Sequence, residues 1–170
     1  MEGEMPKVIS SDVEKREYWN RPVKGVPLYV SEKAMIAMTE HADQGFETNK
    51  EIMGLMMGSV YIDDGGEYAV VKDVATSILD ASAISVRFNR EHLEQLFESI
   101  DMCEGEYIVG WYHSHLGIGC YLSDVDIRTH EGIFGTDTGF AIVIDPSELT
   151  IVPFRCSGRI PEKVSMIVME

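Results

Sequence analysis

The stretch "EIMGLMMGSVYI", residues 51–62, constrains the fold more than any other part of the chain. It is a continuous apolar run broken by glycines, and its boundaries are those of a strand rather than a helix. It meets "DDGG" at 63–66, after which "EYAVVKDVAT" makes a second strand, so the two predict a hairpin. Antiparallel neighbours joined by a tight turn favour a mixed α/β sheet over a regular doubly wound one.

The rest of the chain fits such a sheet. "LYVSEKAMIAMTEHADQG" predicts a short strand, a helix starting at Ser31, and a stop at Gly45. Ala34, Met35, Met38 and Ala42 fall at helical spacing. "SAISVRF" alternates loosely, as an edge strand does. "NREHLEQLFESIDM" predicts a helix capped by Asn89, with Leu93, Leu96, Phe97 and Ile100 on one face. "EYIVGWYHSH" predicts a strand and the residues after Ser123 a short helix, followed by strands "GFAIVID", "LTIVPFR" and "KVSMIVM". Residues 1–26 read as a tail or irregular lead-in, with 27–170 as one domain.

Composition narrows the classes of function. The formal net charge of −15 repels phosphate backbones and anionic membrane surfaces, so neither nucleic acid nor membrane is an expected partner. No apolar run approaches the roughly 18–20 residues of a membrane span. The N-terminus lacks the basic and apolar regions of a secretory signal. Cys103, Cys120 and Cys156 form no CxxC pair, which makes reduced thiols in a cytoplasmic setting the expectation, with one disulfide still open.

The chemistry concentrates in "GWYHSHLGIGCYLSDVD", residues 110–126. Alternation along a strand projects His113 and His115 from the same side. Asp126 falls in the first turn of the following helix, where it can add an anionic third ligand. Two histidines and one carboxylate leave a position open, the pattern of a catalytic zinc site, and also of a non-haem iron site. A competing reading is structural: Ser123 and Asp126, three apart, also form a variant of the helix capping box. Both readings hold together, because a helix N-terminus is a rigid place for a ligand.

The spacing His113, Ser114, His115, seven residues, Ser123, two residues, Asp126 closely resembles the JAMM (MPN+) metalloprotease motif. That family also carries a glutamate before a Gly-rich apolar strand, matched here by Glu51 in "KEIMGLMMG". The wording of the motif is most similar to the proteasome-lid and signalosome deubiquitinase branch, over about residues 27–160. The resemblance implies a mixed α/β, cytidine-deaminase-like MPN fold, with a mostly antiparallel curved sheet flanked by helices. It implies one catalytic zinc ion on His113, His115 and Asp126, with Glu51 as general base and acid and Ser123 as oxyanion donor. Implied partners are conjugates of ubiquitin or a ubiquitin-like protein, in a cytoplasmic, proteasome-related setting. In the family, the region matching "SILDASAISVRF" holds the modifier's extended tail, by strand addition to an exposed edge.

Alternative assignments are weaker. Scaffold members of the fold act as silent interaction modules, but they usually lack part of the motif, which is complete here. Cys120 beside the histidines is a conceivable thiol nucleophile, although the family carries that cysteine without using it. Asp124 and His130 could touch a second ion but read more simply as solvated helix positions, and His41 and His92 as helix residues without special role. One departure is Leu116, where the family usually has proline. The family's C-terminal assembly helices have no counterpart in these residues, an expectation in keeping with a compact peptidase of the archaeal type.

Overall fold

A computed structural model describes residues 16–17, 25–76 and 106–170. The predicted edge strand "SAISVRF", the helix capped by Asn89, and Cys103 lie outside the described residues. Nine strands and two helices follow in chain order among those described. They are β1 (Arg16–Glu17), β2 (Leu28–Ser31), α1 (Glu32–Glu47), β3 (Met53–Asp63), β4 (Gly66–Thr76) and β5 (Tyr107–Ser114). After them come α2 (Asp124–Phe134), β6 (Phe140–Asp145), β7 (Thr150–Ser157), β8 (Ile160–Lys163) and β9 (Met166–Met169).

The hairpin forms as the sequence predicts, β3 and β4 pairing antiparallel from Asp63↔Gly66 back to Gly54↔Thr76. Along the sheet the order is β8-β7-β6-β5-β3-β4-β2-β9, with β1 pairing β3. The long ladders β3–β4, β3–β5 and β6–β7 are antiparallel. β5 and β6 run parallel, which requires a crossover, and α2 provides it. The two ends of this order, β8 and β9, are joined by Val164 and Ser165 alone. Three peptide steps reach about 11 Å at most. The sheet must therefore curl until its outer strands nearly meet, giving the mixed, curved sheet the sequence implies.

β5 lies at the centre, and every residue from Ile108 to Ser114 is buried. Its alternation serves two layers. Tyr112 faces α1, where its hydroxyl meets His41 Nδ1 at 2.7 Å, while Trp111 and His113 face α2. The main core joins both layers, with Ala34, Met38 and Ala42 of α1 packed with Leu55, Ile108 and Ile142.

Local details refine the reading. Ser31 caps α1 by accepting from Ala34 N–H at 3.1 Å, as expected. The helix does not stop at Gly45; it continues to Glu47 with Thr48 as its cap. Gly45 is instead a contact position, where an added Cβ would lie 2.6 Å from both Ile52 and the Lys50 carbonyl. A glycine required by packing imitates a helix stop signal. "KVSMIVM" resolves into the end of β8 and a four-residue β9, split at Val164 and Ser165. Within the stretch read as a lead-in, Arg16–Glu17 pairs with Tyr61 and Ile62.

Candidate metal centre

Three elements converge at the C-terminal end of β5. Register pairs Met53 with His113 across β3 and β5. The pairing continues past the strand ends, where Ser114 N–H donates to the Ile52 carbonyl at 3.0 Å and Ile52 N–H to Ser114 Oγ at 2.9 Å. One further step sets Glu51 opposite His115. By alternation Glu51 then shares the face of His113 and His115, and its negative charge acts on His115.

On the other side, α2 begins at a complete capping box. Ser123 Oγ accepts from Asp126 N–H at 3.1 Å, and Ser123 N–H donates to Asp126 Oδ2 at 2.9 Å. The box fixes the Asp126 carboxylate without using up its oxygens. Asp126 Oδ2 lies 3.2 Å from His113 Nε2 and 3.5 Å from His115 Nε2. The ligand atoms of His113, His115 and Asp126 all fall within 4.8 Å of one another. The metal and capping readings of Asp126 are therefore compatible in one geometry.

The electrostatics belong to a tightly coupled cluster. Burial opposes ionisation of Asp126, yet His113, His115 and the Ser123 N–H outweigh it and hold the carboxyl well below the usual carboxylate range. Burial likewise opposes charge on His115. Its bonds to Asp126 and the Gly119 carbonyl, with the charges of Asp126 and Glu51, nevertheless raise its pKa above the ordinary value. His113 is only 3% exposed, and neither ring nitrogen has a hydrogen-bond partner among the described residues. The 3.2 Å approach to Asp126 is thus close without hydrogen-bond alignment. A buried, unpartnered imidazole nitrogen beside a carboxylate and a second imidazole is a donor set that fits a zinc ion.

The loop from His115 to Ser123 is held by a residue the sequence reading did not single out. Asp145, fully buried at the end of β6, accepts from Gly117 N–H at 3.0 Å and Gly119 N–H at 2.7 Å. It also accepts from the Ser147 hydroxyl at 2.7 Å. Gly117 and Gly119 adopt φ of 88° and 84°, a region glycine enters without strain, so the tight path does not depend on proline in place of Leu116. Gly119 in turn offers its carbonyl to His115 Nδ1 at 2.6 Å, leaving Nε2 to face Asp126. "IDPSE" announces a turn, because Asp before Pro initiates one, but it does not name the distant loop the carboxylate holds. Asp145→Ala should destabilise the fold by roughly 1–3 kcal/mol, since it removes a buried acceptor that three part-buried donors share. A denaturant titration that finds less than about 1 kcal/mol, the worth of a single hydrogen bond, contradicts this role.

The other candidates divide. Asp124 is exposed, as expected of a solvated helix position. His130 is not solvated; it is 1% exposed, accepts from Trp111 Nε1–H at 3.0 Å, and bonds the Thr138 carbonyl at 2.9 Å. Helical spacing alone did not reveal that its face of α2 packs on β5. Cys120 and Cys156 are free thiols. Cys120 Sγ is engaged by the Val143 carbonyl and Thr150, away from a nucleophile's role. His92 lies outside the described residues.

Comparison with known proteins identifies the family and the fold. Residues 24–135 match the model of the family described as JAB1/Mov34/MPN/PAD-1 ubiquitin protease. The chain is 35% identical over 141 residues to COP9 signalosome complex subunit 5 of Gibberella zeae, covering 79% of this chain and 39% of that protein. It is 37% identical over 127 residues to 26S proteasome non-ATPase regulatory subunit 14 of Caenorhabditis elegans, covering 70% and 38%. The chain thus spans under two-fifths of the length of these relatives. Two solved structures share the fold. One is a JAB1/MPN domain protein from Archaeoglobus fulgidus, with TM-score 0.53, 17% identity, and coverage of 84% of this chain and 100% of that one. The other is a protein from Desulfitobacterium hafniense, with TM-score 0.61, 22% identity, and coverage of 84% and 93%. By its matched residues and its fold, the chain belongs to the JAB1/Mov34/MPN/PAD-1 ubiquitin protease family.

Proposed function

We propose that this chain is a zinc-dependent isopeptidase that removes ubiquitin or a ubiquitin-like modifier from lysine side chains of proteins. The observation that carries the reading is the convergence of His113, His115 and Asp126, with the charge of Glu51 acting on His115. The relatives' names, which include proteasome and signalosome subunits, support a modifier conjugate as substrate and a proteasome-related assembly as setting. Among the described residues no helix is long and apolar enough to cross a membrane. We read the site as cytoplasmic and residues 27–170 as one catalytic domain behind a lead-in.

His113, His115 and Asp126 would hold the ion, and zinc, when bound, supplies Lewis acidity at neutral pH. Glu51 takes the proton from the attacking water as its oxygen bonds to the isopeptide carbonyl carbon. It returns that proton to the lysine nitrogen as the C–N bond breaks, so the amine leaves neutral. Ser123 serves in two ways, because a hydroxyl has one donor and two acceptor sites. Its oxygen caps α2 while its hydrogen is free to donate to the oxyanion. Ser123→Ala should lower kcat by about 10²-fold and cost about 1 kcal/mol of cap stability. A lower melting temperature with kcat of the folded fraction intact rejects the oxyanion role.

The test of the metal assignment is elemental analysis of the purified chain beside an assay on lysine-linked conjugates. One zinc per active chain supports the proposal. Iron in its place supports oxygenase-type chemistry on the same residues.

A further inference from the structure

A ligating histidine is generally oriented by a hydrogen bond from its second ring nitrogen. His115 has such a bond, through Nδ1 to the Gly119 carbonyl. His113 has none among the described residues. Its ring plane is instead met by an indole: Trp111 stacks on it with centroids 4.5 Å apart and planes 17° apart. A stack by itself leaves the rings free to slide. Here Trp111 is tethered, because its Nε1–H donates to His130 Nδ1 at 3.0 Å. His130 is tethered in turn by its Nε2–H to the Thr138 carbonyl at 2.9 Å.

The pattern has a simple origin in the sequence. Residues 111, 113 and 115 share one face of the β5 path. Residues 126 and 130, one helical turn apart, share one face of α2. Packing the two elements brings Asp126 to His113 and His115, and His130 to Trp111. One helix face therefore carries both a candidate ligand and the anchor of a second ligand's stacking partner. The hydrogen bonds also fix the His130 tautomer. An imidazole that accepts at Nδ1 is neutral, in keeping with burial lowering its pKa against the opposing Thr138 bond.

We infer that Trp111 and His130 are positioning residues for the metal centre, holding the His113 imidazole in its ligating plane through a stack rather than a hydrogen bond. This rests on the zinc reading given above. It assigns work to two residues outside the His-x-His, Ser and Asp set.

The test is zinc affinity of the full chain, by competition with a chromophoric chelator, alongside the melting temperature of the metal-free protein. His130→Leu removes the anchor and should weaken zinc binding by about 10- to 100-fold, the usual cost of losing support behind a ligand. His130→Gln keeps an acceptor for Trp111 and should stay within about threefold of wild type, well below that loss. Trp111→Phe keeps an aromatic face but loses the tether, and should fall between them. His41→Leu is the matched control, since it breaks a bond to buried Tyr112 on the opposite face of β5. It should lower melting yet leave zinc affinity unchanged. Should His130→Leu fail to fold, Trp111→Phe and His130→Gln still decide the matter. Wild-type affinity in folded His130→Leu or Trp111→Phe overturns this inference alone, as does an equal loss in His41→Leu. Failure of the wild-type chain to take up zinc overturns the metal reading and this inference with it.

Discussion

Asp126→Ala should abolish stoichiometric zinc binding and, with it, cleavage of conjugates. Asp126 is the one anionic member of the cluster, and its Oδ2 stands within 3.5 Å of both imidazole Nε2 atoms. Without it, two neutral imidazoles remain to hold a dication in a largely buried site, where an uncompensated charge is costly. The same substitution removes half of the capping box, since Ser123 N–H loses its acceptor. Some loss of stability, about 1 kcal/mol for a cap, is therefore expected as well. His115→Ala separates the effects, because it removes a proposed ligand and leaves the box intact. It should also empty the site while α2 stays capped. Full zinc occupancy in either variant would show that the residue is not a ligand.

Glu51→Gln should have the opposite profile: zinc retained, turnover lowered by about 10²- to 10⁴-fold. Glu51 stands near enough for its charge to act on His115 and lies outside the group whose ligand atoms converge. Glutamine preserves its size and one acceptor oxygen but cannot shuttle a proton. The change should appear in kcat, because the proton moves in the chemical step. A zinc-loaded Glu51→Gln chain that turns over like wild type rejects the assignment. Together these variants separate metal loss from base loss.

Much of this site is legible in the sequence because its parts are local. His113 and His115 share a face through the two-residue period of a strand, and Ser123 and Asp126 belong to a helix-start pattern. Period and cap are short-range rules, and both hold in the structure. Glu51 is of another kind. Its place beside His115 depends on the register between β3 and β5, more than sixty residues apart in sequence, and only the motif resemblance anticipated it. Asp145 and His130 were not anticipated. Each works through a contact whose partner is set by packing: Asp145 reaches back across β6 to Gly117 and Gly119, and His130 reaches Trp111 from α2. Gly45 shows the converse, a residue whose local signal for a helix end is overridden by the close approach of Ile52. The curl of the sheet is likewise non-local, following from which strands flank which.

The expected binding region for a modifier tail, "SILDASAISVRF", lies outside the described residues. The site itself can be tested without it. The most direct measurement is hydrolysis of a lysine-linked modifier conjugate by the purified chain, before chelation, after it, and after zinc is returned. Release of the intact modifier that stops on chelation and recovers with zinc is the result predicted here. Cleavage that persists after zinc is removed, or that is lost in Cys120→Ser rather than in Glu51→Gln, would contradict it.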